Sequence, residues 1–186
     1  QQALSKARKK ANALEKKLDS MLTKHMAAVD ELESLFQNLL SRVLTDAYTG
    51  TATLTKGDME FDILESEAGL AGEAVESLTL VLADIVALIW SVEGHGKHPC
   101  FLLHDSPREA DLHRRIYNRF MLGVFKMCEE LGGENAPLQY IITTTSEPPK
   151  RLIEASTVKL RLQSHPPEDL LFRQLLRRKS TPSLGI

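Results

Sequence analysis

Cysteine is scarce in this sequence: Cys100 and Cys128 are the only two, with no CxxC pair and no histidine at ligand spacing. That excludes a disulfide scaffold and a zinc ribbon, and leads us to expect two reduced, buried thiols in an intracellular chain. Long apolar runs are missing too. The longest candidate, residues 78–90, is broken by Asp84 and too short to span a bilayer. With no signal peptide in view, the expectation is a cytoplasmic protein without membrane contact. Charge of one sign is also lacking. A formal net charge of -2 gives no global pull toward nucleic acid, so any such contact needs a local patch. None of the ten glycines belongs to a GxxxxGK[ST] loop, whose N–H groups cradle phosphates. Gly94-His95-Gly96-Lys97 lacks the leading glycine and precedes a strand, so this chain alone is not expected to hold a nucleotide. It opens on Gln1, in the middle of a helical pattern, and reads as a fragment.

What is present fills 186 residues, enough for one domain with a real core and an appendage. Residues 1–46 contain neither Gly nor Pro. Leu4, Ala11, Leu18, His25, Leu32 and Leu39 take the a positions of a heptad, with Ala7, Leu14, Met21, Ala28 and Leu35 at d. This 3-4 spacing predicts a long helix with a coiled-coil seam, weakened at its alanines and at His25, hence a partner-dependent arm. Beyond Val29, Phe36, Leu40 and Val43 widen the stripe, where the helix is expected to pack onto a globular body. Lys6, Arg8, Lys9, Lys10, Lys16 and Lys17 make the start of the arm basic. That is either a solvated face or a contact for DNA phosphates.

Residues 51–64 switch to period two around Lys56-Gly57, which predicts a hairpin. A Gly/Ala-rich link, residues 68–72, opens a helix from Glu73 to about Ser91, apolar over most of its circumference. After a polar loop comes Pro99-Cys100-Phe101-Leu102-Leu103-His104-Asp105-Ser106-Pro107. An apolar run so bounded predicts a strand of a parallel sheet, buried on both faces. Ligands of open α/β sheets bind beyond the carboxyl ends of such strands, where Asp105 would stand. A second amphipathic helix follows, stopped by Gly132-Gly133. Tyr140-Ile141-Ile142 makes another short strand ending in Thr143-Thr144-Thr145. Val158, Leu160 and Leu162 alternate with polar residues as a last, half-exposed strand, and a short helix carries Leu170 to Leu176. His95 and His98 have no Cys or acid at ligand spacing and do not read as a metal site.

This order resembles the C-terminal lobe of an SMC-like ATP-binding-cassette head: arm, hairpin, glycine-opened helix, strand ending in Asp, helix, strand ending in Thr, final strand. The fold class it implies is α/β, the C-terminal half of a P-loop/ABC-type ATPase head preceded by a long coiled-coil helix. Residues 1–46 would be the arm, 47–176 the α/β lobe and 177–186 a disordered tail. Ala71, Gly72 and Glu73 lie where the family has its signature loop, although Leu70 replaces the signature serine. Phe101–Asp105 matches Walker B, which makes Asp105 the Mg²⁺ carboxylate. Sliding the match by one would make His104 the Walker acid, but would lose the fit of Pro107. The family's catalytic Glu has Ser106 in its place, with Glu109 one turn on as the other source of a carboxylate. Asp111 falls at the acidic end of the D-loop, near Arg108, and Thr143 and Thr144 stand at the switch histidine.

The resemblance implies ATP and Mg²⁺ as cofactors, bound only with an N-terminal lobe that carries Walker A on the same or another chain. It implies homodimeric heads that sandwich the nucleotide, and action on DNA in repair, segregation or defence. A competing reading is a non-catalytic interaction module, in which the arm docks a partner and the body has lost catalysis, as Leu70 and Ser106 would allow. A third, Asp105 as a phosphoacceptor, calls for further acids at strand ends; the chain offers Thr143 instead.

Overall fold

The computed structural model describes residues 2–44, 47–55, 58–65, 72–107 and 112–163. The chain divides into two compact units, Gln1–Pro149 and Lys150–Ile186.

In the first unit the stretch without Gly or Pro forms one helix, α1 (Gln2–Val43). Its seam is open toward the N-terminus, where Leu4 and Leu14 are 76% and 58% exposed. From Phe36 onward it closes, and Phe36, Leu39, Leu40 and Val43 are buried. At about 1.5–3 kcal/mol for each fully buried large side chain, this short base anchors the helix to the body. An antiparallel hairpin follows, β1 (Tyr48–Leu54) with β2 (Met59–Glu65), in a register that pairs Gly50 with Ile63 and Ala52 with Phe61. It lies against the base of α1, where the Phe36 and Phe61 rings meet at 5.0 Å between centroids. Gly50 is required there, because a Cβ would sit 2.6 Å from Phe36 Cδ1.

Helix α2 (Gly72–Val92) buries Leu78, Leu82, Ile85, Val86, Leu88 and Ile89 in the centre of the unit. Strand β3 (Phe101–Asp105), helix α3 (Arg114–Glu130) and strand β4 (Gln139–Thr143) form a β-α-β unit with parallel strands, Leu103 opposite Ile141 and Asp105 opposite Thr143. Helix α3 begins at His113, whose Nδ1 accepts from the Arg115 N–H at 3.2 Å. It stops where Gly132 and Gly133 take left-handed φ of 123° and 59°. The chain is thus mixed α/β, with a helical core beneath two separate two-stranded sheets.

The second unit begins with a short helix, α4 (Lys150–Glu154), ended by a turn in which the Thr157 hydroxyl donates to the Leu152 carbonyl at 2.8 Å.

Four expectations are corrected. Strand β3 is not buried on both faces: Phe101 and Leu103 are 44% and 48% exposed, and among the described residues α2 packs on the side of His104. Cys100 is not in the strand; it precedes it in a left-handed conformation (φ 57°), and both thiols are free and half-buried. Residues 158–162 form no strand, and Leu160 and Leu162 are exposed without a ladder to hold them extended. Helix α2 is, among the described residues, the one helix long and apolar enough by length and composition to cross a membrane. It serves as a core helix, and its Asp84 is hydrogen-bonded to His104. The Lys56-Gly57 turn, the link before Gly72, and the helix and tail expected beyond Ser164 lie outside the described residues.

Candidate functional site

Parallel pairing brings the carboxyl ends of β3 and β4 side by side, and the candidate residues at those ends meet. Asp105 and Thr143 are direct partners in the register. The Thr143 hydroxyl donates to Asp105 Oδ1 in a short contact between two exposed side chains. Ser106 then leaves the sheet. Its N–H donates both to the Thr143 carbonyl and to Thr143 Oγ1, each at 3.2 Å. To make these bonds Ser106 adopts φ 44°, a left-handed conformation that costs a non-glycine residue of order 1 kcal/mol or more. The Thr143 hydroxyl, the Asp105 carboxylate and the Ser106 backbone are therefore tied together at the rim of the sheet, on the side where open α/β sheets bind ligands.

Thr144 belongs to a different arrangement. Its Oγ1 accepts from the Ser146 N–H at 3.1 Å, a local turn that directs the chain away from the strand end. Gly72 and Glu73 open α2 as exposed residues, and none of the described residues lies within 4 Å of the space a Gly72 Cβ would occupy. Gly72 is twelve residues before Asp84, about 18 Å along the helix axis, so it is set apart from the Asp105 cluster. Ala71, Glu109 and Asp111 lie outside the described residues. Among the described residues no three His, Cys, Asp or Glu side chains gather as a metal cluster.

Beneath the rim the other face of the sheet holds a polar unit that spacing along the chain does not reveal. His104 points inward. Its Nε2 is 3.0 Å from Asp84 Oδ2 on α2, and its Nδ1 is 2.8 Å from the Tyr140 hydroxyl on β4. A carboxylate only accepts, so Nε2 donates to Asp84, and in the neutral imidazole Nδ1 then accepts from the Tyr140 hydroxyl. Burial raises the Tyr140 phenol far above its ordinary pKa, with neighbouring Tyr117, Cys128 and Asp84 adding to the shift. Burial likewise pushes the Cys128 thiol up, away from the reactive thiolate. Alternation explains the division of labour between neighbours: His104 faces the helices and Asp105 faces outward. The inward engagement of His104 fits Asp105, and not His104, as the residue offered to a ligand.

The outer face is mixed and exposed: Phe101, Leu103 and Ile141 share it with Asp105, Gln139 and Thr143. Leu103 and its cross-strand partner Ile141 are 48% and 36% exposed, beside Phe101. Among the described residues, β3 and β4 have only each other as strand neighbours. Such a pair departs from the usual state of parallel sheets, which are covered on both faces and have further strands at their edges.

No protein-family model matches this sequence, and no curated protein matches it.

Proposed function

We propose that this chain is the C-terminal lobe of an SMC-like ATPase head, half of a nucleotide site that a second lobe with a phosphate-cradling loop completes. The observation that carries the reading is the pairing of Asp105 with Thr143 at the carboxyl rim of a parallel strand pair whose outer face leaves Phe101, Leu103 and Ile141 exposed. Asp105 supplies a hard carboxylate oxygen, and Mg²⁺ is bound by one or two such carboxylates together with phosphate oxygens and water. The donor set therefore fits Mg²⁺·ATP: Asp105 would hold the metal, with the Thr143 and Ser106 hydroxyls beside the phosphates. When bound, the metal would neutralise charge that develops on the phosphates during transfer. Thr143 orients the carboxylate and His104 holds the strand beneath it. The second lobe would cover Phe101, Leu103 and Ile141 and exclude water from the rim. In the assembled head Gly72 and Glu73 would face the nucleotide of an opposing copy, and the open seam of α1 would pair with a returning helix. The basic start of that helix suits DNA phosphates.

Ser106 favours a second reading. It stands where a water-orienting acid is expected, and its left-handed backbone is tied to Thr143. On this reading the lobe retains assembly, with or without nucleotide, and does not hydrolyse.

Calorimetric titration of Mg²⁺·ATP tests the proposal. The lone chain is expected to show no binding, and the chain assembled with its phosphate-loop lobe saturable binding. Equal binding by the lone chain, or none by the assembly, contradicts it. Binding without turnover selects the second reading.

A further inference from the structure

The base of α1 carries two rows of polar side chains on either side of its buried ridge, and each row is tied to a different part of the body. On one side Glu33, Gln37 and Ser41 recur at i, i+4 spacing along the edge of β1. The Ala52 N–H donates to Glu33 Oε2 at 2.9 Å, and the Gly50 N–H donates to Gln37 Oε1 at 2.6 Å. The spacings agree. Four residues of helix rise about 6 Å, and two residues of strand about 6.7 Å. Gln37 cannot turn its amide over without loss, because its Nε2 donates to Ser41 Oγ at 3.1 Å. On the other side Arg42 Nε donates to Asn38 Oδ1 at 3.0 Å, and Arg42 Nη2 reaches Glu130 Oε2 at the end of α3 at 2.9 Å. Close approaches bracket both rows: Gly50 against Phe36, and Gly123 of α3, where a Cβ would lie 3.1 Å from Arg42 Cβ.

We propose that this two-sided seat is a register lock, which fixes the rotational phase and axial position of the arm on the body so that the two move as one piece. The side chains of α1 serve β1 as a substitute strand, closing an edge that would otherwise present unpaired N–H groups. Only one register satisfies them. A slide of one turn in one direction puts Val29 opposite Ala52, with no acceptor. A slide in the other puts Ser41 opposite Gly50, with a side chain too short to reach. Rotation about the axis breaks the hairpin row or the α3 row. Torque on the arm is thus carried into the hairpin and α3. The inference does not depend on the nucleotide reading and is tested without ATP.

The test uses the whole chain in a Cys100→Ser/Cys128→Ser background, with spin labels at Ser20→Cys and Thr53→Cys. Pulsed dipolar spectroscopy is expected to give one narrow distance distribution. Glu33→Ala/Gln37→Ala is expected to broaden it, while Glu33→Gln/Gln37→Glu, which keeps both acceptor oxygens, retains the narrow peak. In parallel, amide exchange at Gly50 and Ala52 should rise roughly two- to tenfold in the alanine variant, the effect of one hydrogen bond each. The Thr51 amide, which alternation turns toward β2, should change less. A narrow peak in the alanine variant, a broad one in the parent, or equal broadening in the acceptor-retaining variant overturns the proposal. If the alanine pair fails to fold, the Glu33→Gln/Gln37→Glu comparison and the parent's exchange pattern still decide it.

Discussion

Thr143 donates its hydroxyl to the carboxylate of Asp105 across the ends of two adjacent parallel strands. Two residues 38 apart in sequence are thereby fixed as a pair at the rim of the sheet, and each loses a partner when the other is replaced.

Thr143→Val removes the donor and keeps the β-branched shape that suits the strand. The expected loss is about 0.5–1 kcal/mol, toward the low end for a hydrogen bond because both side chains are exposed. Thr143→Ser should recover most of it. Urea unfolding midpoints measure both. An unchanged midpoint in the valine variant would show that the contact contributes nothing to the fold.

Gly50→Ala forces a methyl group into the space of the Phe36 ring, whose Cδ1 would be 2.6 Å away. The expected destabilisation is about 1–3 kcal/mol. Phe36→Leu in the same chain should relieve part of it, so the two changes are non-additive. Additive thermal shifts would mean that the ring moves aside freely.

Tyr140 links pH to stability at the alkaline end. Its folded-state pKa is raised above the ordinary tyrosine value near 10, first by burial and then by its neighbours. The contribution is therefore complete below about pH 10 and is lost as pH rises beyond it. Tyr140→Phe should cost stability at neutral pH, where the bond to His104 disappears, and should flatten the fall between pH 9 and 11. An unaltered alkaline profile would show that this phenol titrates alike in the folded and unfolded states.

Glu130 acts at the acid end. The hydrogen bond from Arg42 holds its carboxyl below the usual range, with desolvation opposing and the charges of Arg42 and Lys126 assisting. A depressed folded pKa gives stability that is present above the unfolded value near 4.3 and fades as pH falls through the folded one. Glu130→Gln should thus lower the melting temperature slightly at pH 7 and match the parent near pH 2. Salt should shrink the difference, since the pair is partly exposed. A difference that persists near pH 2 would place the effect outside this ionisation.

Sequence patterning and structure agree best where one face of an element is buried within this chain. The unbroken helix of α1 with its buried base, the period-two hairpin and the Gly132-Gly133 stop of α3 are local signals with local consequences, whereas the heptad seam of α1 is exposed at Leu4, Leu14 and Met21. The apolar run into Asp105 behaved differently. Its composition fits burial on both faces, and the described chain covers one, so Phe101 and Leu103 remain exposed. Residues 158–162 alternate as a strand would, but a strand needs a neighbour, and the alternation alone does not supply one. The Asp84–His104–Tyr140 unit joins residues 20 and 36 positions apart, so no spacing rule announces it. The same holds for Glu33 and Gln37, which in sequence are ordinary polar residues of a helix. They become specific only because β1 lies alongside. The site itself was partly legible: Asp105, Ser106 and Thr143 come together, whereas Gly72 and Glu73 sit apart and Thr144 turns into a local bend.

Leu103→Lys and Ile141→Lys test the exposed face of the sheet. In the chain alone each should cost about 1 kcal/mol, since both side chains are half-buried cross-strand partners. In the presence of the complementary lobe each should abolish co-elution on size exclusion. Retained assembly would show that this face is not the junction.

We propose Asp105 as the metal-holding carboxylate of a nucleotide site completed by a second lobe. The direct measurement is Mg²⁺-dependent ATP turnover by the assembled protein, parent against Asp105→Asn. The asparagine retains an oxygen to accept from Thr143, so the fold and the assembly should persist. Turnover is expected in the parent and is lost in the asparagine variant; equal turnover in the two would exclude Asp105 from this role.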